Sequence, residues 1–260
     1  MNCKTLWISD LHLGTRHCDA TGVLEFLKHH ECERLYLVGD IVDLWHLRRN
    51  RFWPQTHNDV IQKLLRKARK GVEVIWIPGN HDEFCANFAG AYGNLIVKPH
   101  DLHVTADGRR LLVLHGHEFD AVIAHAKWLA HLGDVGYTLL LKANLPLNHL
   151  RSRLGLSPWS VSAYAKSRVK KAVSFIGRFQ EVVAHYAERH HADGIVCGHI
   201  HTPAVTRIGG IAYYNCGDWV ESRTGLVEHS DGRIELVRWR RQAEAIFEAP
   251  ELELVSVGES

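Results

Sequence analysis

The sequence predicts an α/β protein in which two β-rich halves pack face to face with helices outside them, and three observations lead there. Apolar runs of strand length alternate with amphipathic helical segments from residue 4 to about residue 115. Hairpin signals recur from residue 102 onwards, as apolar stretches joined by Asp-Gly or Gly-Gly turns. A long stretch with helical but no strand pattern separates the two halves.

The elements follow in order. Residues 5–8 (Thr-Leu-Trp-Ile) form a short apolar run that ends at Ser9 and Asp10. Val23, Leu24, Phe26 and Leu27 then recur with the spacing of one buried helical face. Residues 35–38 make the next strand, running into Gly39 and Asp40. Val60, Ile61, Leu64 and Leu65 mark a second amphipathic helix, closed by Gly71. Residues 72–77 are the third strand, ending at Pro78, Gly79 and Asn80. Such alternation builds a largely parallel sheet, whose ligands bind beyond the carboxyl ends of the strands. Hairpins are expected between 102–105 and 111–114, between 204–208 and 211–215 through Gly209 and Gly210, and between 224–228 and 233–237 around Asp231 and Gly232. Trp7, Trp76 and Phe26 are expected in the core, and Cys197 and Cys216 as small buried apolar groups.

Between about 120 and 191 lies the helical insertion. From residue 135 to 180 it contains no Asp or Glu, yet holds Lys142, Arg151, Arg153, Lys166, Arg168, Lys170, Lys171 and Arg178. The whole chain carries only +2, so the remainder is net negative. A solvated basic helix face would account for the run, and so would a lid that receives an anion. Trp128, Leu129, Leu132, Tyr137 and Leu145 add apolar surface, which suits an amphiphile with a phosphate head or a membrane surface. His125, His131 and His149 read as helix-face residues. After residue 241 come Glu244, Glu248, Glu251, Glu253 and Glu259 with no basic residue, a weakly ordered acidic tail over 242–260. Residues 1–241 are therefore expected as a single domain carrying a helical lid over about 120–191.

Composition excludes several classes. With 46% hydrophobic and 23% charged residues in 260, neither a disordered nor a fibrous chain is expected. Thirty-one Lys and Arg against 29 Asp and Glu are too balanced for a nucleic-acid coat protein. No apolar run approaches the roughly 18 residues of a membrane span, and the chain enters its first strand without a signal-peptide pattern. Six irregularly spaced cysteines, with no C-x-x-C pair, suit the reduced thiols of a cytoplasmic protein. The anomaly is histidine, with 20 residues, several of them clustered with Asp, Asn and Gly.

Those clusters are Asp10-Leu-His12, Gly39-Asp40-Ile-Val-Asp43, Gly79-Asn80-His81-Asp82, His115-Gly-His117 and Gly198-His199-Ile-His201. In extended backbone residues i and i+2 face the same side, so Asp10 with His12, and His199 with His201, can converge on one ion. A carboxylate such as Asp40 can bridge two cations, and the amide oxygen of Asn80 is a neutral ligand. Mixed imidazole and oxygen donors suit Mn, Fe or Zn better than Mg or Ca. A lone Asp-x-His or His-x-His arises by chance; the ordered series, each with glycine beside it, does not.

The ordered set D-x-H, G-D-x-x-D, G-N-H-D, H-G-H and G-H-x-H resembles the calcineurin-like metallophosphoesterases. The resemblance implies a four-layered α/β/β/α sandwich around two divalent ions, most simply Mn2+, with Fe or Zn as substitutes. It implies that Asp10, His12, Asp40 and His201 hold one ion and that Asp40, Asn80, His115 and His199 hold the other. His81 would face substrate as a catalytic group, with Asp82 or Asp43 orienting its ring.

Within that family, residues 39–45, the helical insertion, residues 198–203 and residues 215–219 resemble the branch that contains the UDP-2,3-diacylglucosamine pyrophosphatases of lipid A synthesis. This branch implies a lipid-nucleotide substrate, a cytoplasmic enzyme, and a peripheral position on the inner face of the cytoplasmic membrane. Arg151, Arg153, Lys166, Arg168 and Lys170 are then the candidate phosphate contacts. The chain departs from the branch in carrying His81 where G-N-R-D has Arg, and His117 where Asp is usual. The alternative is a phosphodiesterase or nuclease of the same superfamily, with Trp159 or Tyr164 stacking bases.

Overall fold

In the computed structural model, which describes residues 2–120 and 161–240 (the side chains of 161–174 aside), two sheets carry the fold. Along the chain the strands are β1 (Asn2–Ile8), β2 (Glu31–Val38), β3 (Glu73–Ile77), β4 (Gly90–Tyr92), β5 (Leu95–Val97) and β6 (Asp101–Val104). They continue as β7 (Arg110–Val113), β8 (Gly194–Cys197), β9 (Ala204–Ile208), β10 (Ile211–Asn215), β11 (Thr224–Glu228) and β12 (Ile234–Arg238). The described helices are α1 (Ala20–His29), α2 (Leu44–Asn50), α3 (Gln55–Arg69) and α4 (Val161–Arg189).

The seven-stranded sheet runs β12-β11-β1-β2-β3-β5-β4, with β1, β2, β3 and β5 parallel. The five-stranded sheet runs β6-β7-β8-β10-β9, with β7, β8 and β10 parallel. All three expected hairpins form: β6 with β7, β9 with β10, and β11 with β12.

The central strands read as continuous apolar runs because both of their faces are covered. On one side Leu6, Ile8, Leu35, Leu37 and Val74 pack under Phe26 and Leu27 of α1 and Val60 and Leu64 of α3. On the other, Trp7, Tyr36, Val38, Ile75 and Ile77 meet Leu111, Val113, Val196 and Tyr214 of the second sheet. Leu112, Ile195 and Tyr213 face outward from that sheet onto Phe179, Val183 and Ala187 of α4. The layers are thus α/β/β/α.

Two expectations change. The final turns of the expected insertion are a structural layer, since α4 buries Phe179, Val183 and Ala187 against the second sheet; residues 121–160 and the tail after 240 lie outside the described part. Trp76 is only partly buried. The sequence reading also missed α2, which buries none of its residues and so has no apolar stripe, and the β4–β5 hairpin, whose strands are three residues each.

A polar fastening crosses between the sheets. His103 Nε2 of β6 donates to Glu228 Oε2 of β11 at 2.9 Å, and the Ala106 amide donates to Glu228 Oε1 at 2.7 Å. Tyr36 of β2 donates to Asp101 of β6 at 2.9 Å, and the Trp7 ring stands edge-on to His103. Burial pushes the Glu228 carboxyl up, but the hydrogen bonds from His103, Thr5 and the Ala106 amide outweigh it and hold the group below the usual range. A folded-state pKa depressed in this way contributes stability above the unfolded-state value. That contribution disappears as pH falls through the folded value.

Glu228→Ala leaves the buried His103 donor and the part-buried Ala106 amide unpaired and is expected to cost about 3 kcal/mol at neutral pH. The difference between wild type and variant should shrink on acidification. Urea denaturation at a series of pH values measures both; a pH-independent gap, or one within about 0.5 kcal/mol of zero, contradicts the fastening.

Candidate metal centre

Each histidine- and aspartate-bearing cluster lies in a loop that follows a parallel strand. Asp10 and His12 follow β1; Asp40 and Asp43 follow β2; Asn80 and His81 follow β3. His115 follows β7, and His199 and His201 follow β8. Facing the same end, these strands deliver five loops from two sheets to one place.

The loops are laced together through the backbone. Asp10 N donates to Gly39 O at 3.0 Å, His12 N to Asp40 O at 2.9 Å, and Gly198 N to His115 O at 3.1 Å. Left-handed backbone recurs at the clusters: Asp10 (φ 51°), His12 (50°), Asp40 (53°), His199 (68°) and His201 (50°). That region is sparsely populated for residues with a side chain and is kept only where surrounding structure enforces it. The glycines beside them are needed for space. A Cβ on Gly39 would overlap the His115 ring, and one on Gly79 would overlap the Asp40 carboxylate.

Asp40 and Asp10 are almost wholly buried. Asp40 Oδ1 accepts from the His81 amide at 2.8 Å. Its Oδ2 lies 3.5 Å from His115 Nε2, 3.9 Å from His12 Nε2 and 4.0 Å from His81 Nε2. Asp10 Oδ2 accepts from the His199 amide at 3.0 Å, leaving Oδ1 3.2 Å from His201 Nε2 and 4.0 Å from His12 Nε2. His12 Nε2 and His201 Nε2 stand 3.4 Å apart. Three groupings therefore have ligand atoms within 4.8 Å of one another among the described residues: Asp10 with His12 and His201, His12 with Asp43 and His81, and Asp10 with Asp40 and His115.

These residues fit divalent cations. Asp10 Oδ1, Asn80 Oδ1 and His115 Nε2 are buried and make no hydrogen bond among the described residues. Buried polar atoms are rarely left so, and here all three are donors of the kind a cation takes. His115 Nδ1 donates to Val38 O at 2.9 Å, which turns its Nε2 lone pair inward. His199 stands beside His115, ring centroids 5.2 Å apart, with its Nε2 2.9 Å from Asp120 Oδ1. Asp120 was not singled out from the sequence; it sits outside every motif, and no signal marks it.

Asp43 and Asp82 have different roles. Asp43 Oδ1 is 3.1 Å from His81 Nδ1, and its Oδ2 is 3.5 Å from His12 Nδ1. It also caps α2 by accepting from the His46 amide at 2.7 Å, so the helix holds it in position. Asp82 is fully buried and faces the backbone: it accepts from Gly79 N at 2.6 Å, Ile41 N at 2.8 Å and Trp76 Nε1 at 3.2 Å. Asp43 is thus the carboxylate that faces the His81 ring, whereas the Asp82 oxygens are taken up by groups of the loops after β2 and β3 and by Trp76. His81 itself is part-exposed, edge-on to His12 and tilted against the Trp45 ring at 4.4 Å.

Residues 215–219 explain their place in the motif set. Asn215 Nδ2 donates to Gly198 O at 2.8 Å, and its Oδ1 accepts from Gly217 N at 2.9 Å, which pins the loop carrying His199 and His201. Of the expected phosphate contacts, Arg151 and Arg153 lie outside the described residues. Lys166, Arg168 and Lys170 fall on the first turns of α4, and their side chains lie outside the described part.

A family model described as calcineurin-like phosphoesterase matches residues 3–203. The chain is 24% identical over 238 residues to a UDP-2,3-diacylglucosamine hydrolase of Shewanella halifaxensis, covering 90% of this chain and 97% of that one. It is 26% identical over 243 residues to the protein of the same description in Psychromonas ingrahamii, covering 90% and 96%. The counterpart in Photorhabdus laumondii is 27% identical over 210 residues, covering 78% and 84%.

Electrostatics tie occupancy of the centre to protons. Burial would lower the His115 pKa, but the Asp10 and Asp40 carboxylates outweigh it and push it up to about 10. Burial would raise both acids, and His115 in turn keeps them below the ordinary carboxylate range. Without metal, His115 is thus an imidazolium at neutral pH, and a cation must displace that proton to use Nε2. Metal affinity is expected to rise with pH between about 6 and 9, with protons released on binding. Calorimetric Mn2+ or Zn2+ titrations in buffers of different ionisation enthalpy measure the release; affinity independent of pH, with no proton released, would refute the assignment of His115.

Proposed function

Because the chain belongs to the calcineurin-like phosphoesterase family, whose model matches residues 3–203, we propose that it hydrolyses the pyrophosphate bond of UDP-2,3-diacylglucosamine or a closely related nucleotide-diphospho-lipid, using two divalent cations. That it is a hydrolase of phosphate bonds follows from the family and the relatives. The observation that carries the reading is the convergence of Asp10, His12, Asp40, His115 and His201, with buried acceptors left unpaired. Support for the substrate comes from relatives that cover most of the chain and share one description. The lipid substrate also accounts for the proposed position on the inner face of a membrane; no described helix is long and apolar enough to cross one.

In this reading Asp10, His12, Asp40 and His201 hold one cation, and Asp40, Asn80, His115 and His199 hold the other. Such cations, when bound, polarise phosphate oxygens and lower the pKa of water. The chain's own contribution is orientation and proton handling. Asp43 faces His81 Nδ1 at 3.1 Å, so the ring's other nitrogen is the one free to donate to a phosphoryl or leaving oxygen. Trp45 lies tilted against the ring, 4.4 Å between centroids, and limits its rotation. Arg151, Arg153, Lys166, Arg168 and Lys170 are proposed to meet the diphosphate from the basic stretch, whose apolar residues would receive the acyl chains.

Protein purified with Mn2+ should release UMP from UDP-2,3-diacylglucosamine with a kcat/KM well above that for bis(p-nitrophenyl) phosphate. Preferential cleavage of oligonucleotides, with binding that falls steeply with salt, would replace this reading by a nuclease. His81→Ala should cut kcat by roughly 10²–10⁴-fold while bound metal per chain, measured by mass spectrometry, stays unchanged. Metal loss in that variant would make His81 a ligand instead.

A further inference from the structure

The segment that leads out of α2 and the loop that follows His12 enclose a second, separate recess beside the metal centre. Its volume is about 610 Å³, within the range of small-molecule sites. Arg16, His46, Asn50, Arg51, Phe52 and Trp53 line it, and no acidic residue does. Arg16 lies with its guanidinium 4.9 Å from the centre of the Phe52 ring. Trp53 is 39% exposed and meets the His57 ring edge-on, 5.6 Å between centroids. Among the described residues no carboxylate pairs with Arg16, Arg48, Arg49 or Arg51. Asn50 Nδ2 stands 3.2 Å from His46 Nε2, which restricts its amide while its oxygen remains to accept.

Position links the recess to the reaction. Arg16 is four residues beyond His12, in a loop whose first turn is closed by Thr15 N donating to His12 O at 3.1 Å. His46 is three residues beyond Asp43 on α2, a rise of about 4.5 Å along the helix. Trp45, 52% exposed, lies on that helix between the recess and His81. The recess thus begins, at His46, about one helical turn from the Asp43 that faces His81.

We infer that this recess receives the nucleoside monophosphate half of the substrate. The inference rests on the function proposed above and names where one half of the substrate sits. Unpaired guanidinium groups select an anion, which they bind in bidentate fashion. Exposed Trp53 and the Phe52 ring offer faces on which a planar base stacks. The Asn50 amide offers a hydrogen-bonding edge. A bare phosphate would use only the first of these, a nucleoside only the others; a nucleotide uses all of them. The acyl half is thereby directed away from α2, on the far side of His81.

The test uses the Mn2+-loaded full chain and calorimetry with UMP, uridine and inorganic phosphate. UMP is expected to bind at least about tenfold more tightly than either fragment. Arg16→Gln and Arg51→Asn should each weaken UMP by about tenfold, and Trp53→Ala by a similar factor; Asn tolerates the left-handed backbone (φ 46°) of Arg51. Lys70→Ala, at the exposed end of α3, should leave UMP affinity unchanged. Thermal unfolding of each variant separates a lost contact from a lost fold. Phosphate binding as tightly as UMP, or UMP affinity unmoved in all three folded variants, overturns the inference. If UMP is released from the lipid substrate with variant-insensitive affinity, the proposed reaction stands and the recess does not. If UMP binds through Arg16 and Arg51 but no lipid substrate is cleaved, the recess stands as a nucleotide site and the proposed reaction falls.

Discussion

Burying Asp10 and Asp40 at the ends of β1 and β2 takes two carboxylates out of water, at a cost of several kcal/mol for each ion. Nothing apolar nearby can compensate that; the His81 and His199 amides offset part of it, and positive charge the rest. The protein supplies it from His115 and His201, and the metal ions of this family would supply it more fully. The parallel strands, the left-handed loop residues and the close glycines are all consistent with holding those two acids where a cation can reach them. The same grouping accounts for Asn80 Oδ1 and His115 Nε2, which are buried without hydrogen bonds among the described residues.

Loops that carry ligands need a separate scaffold, because side chains committed to a cation cannot also hold their own backbone. Asp82 and Asn215 take that task. Each spends its side chain on backbone groups of a neighbouring loop, Asp82 on residues 41 and 79, Asn215 on 198 and 217. The cross-sheet hydrogen bonds of Glu228 and Tyr36 act at a larger scale, fixing one sheet against the other so that loops from both keep a common geometry. Placement by packed layers and by braces, rather than by the ligands themselves, leaves the centre preorganised.

Much of this was legible in the sequence for a physical reason. Strands covered on both faces must be continuously apolar, so residues 5–8, 35–38 and 72–77 announced themselves, and the turns at Gly209, Gly210 and Gly232 announced the hairpins. The clusters around Asp10, Asp40, Asn80, His115 and His199 stood out because cation chemistry restricts which side chains serve, while the full candidate ligand set came from the family resemblance. Elements without a buried stripe were invisible: α2 buries none of its residues, and β4 and β5 are too short to show a period. The different settings of Asp43 and Asp82 were equally hidden, since Asp82 adjoins His81 in sequence while Asp43, 38 positions away, meets its ring only in the fold.

The sequence by itself determined the layer type, the strand order along the chain and the chemical nature of the centre, because burial pattern and donor type are properties of local residues. Tertiary structure alone decided which carboxylate faces His81, that the end of the helical stretch is a layer of the sandwich, that Asp120 meets His199, and that Arg16 and Arg51 share one recess. Each of those depends on the direction of a side chain or on the meeting of segments far apart in the chain, and neither is encoded in spacing.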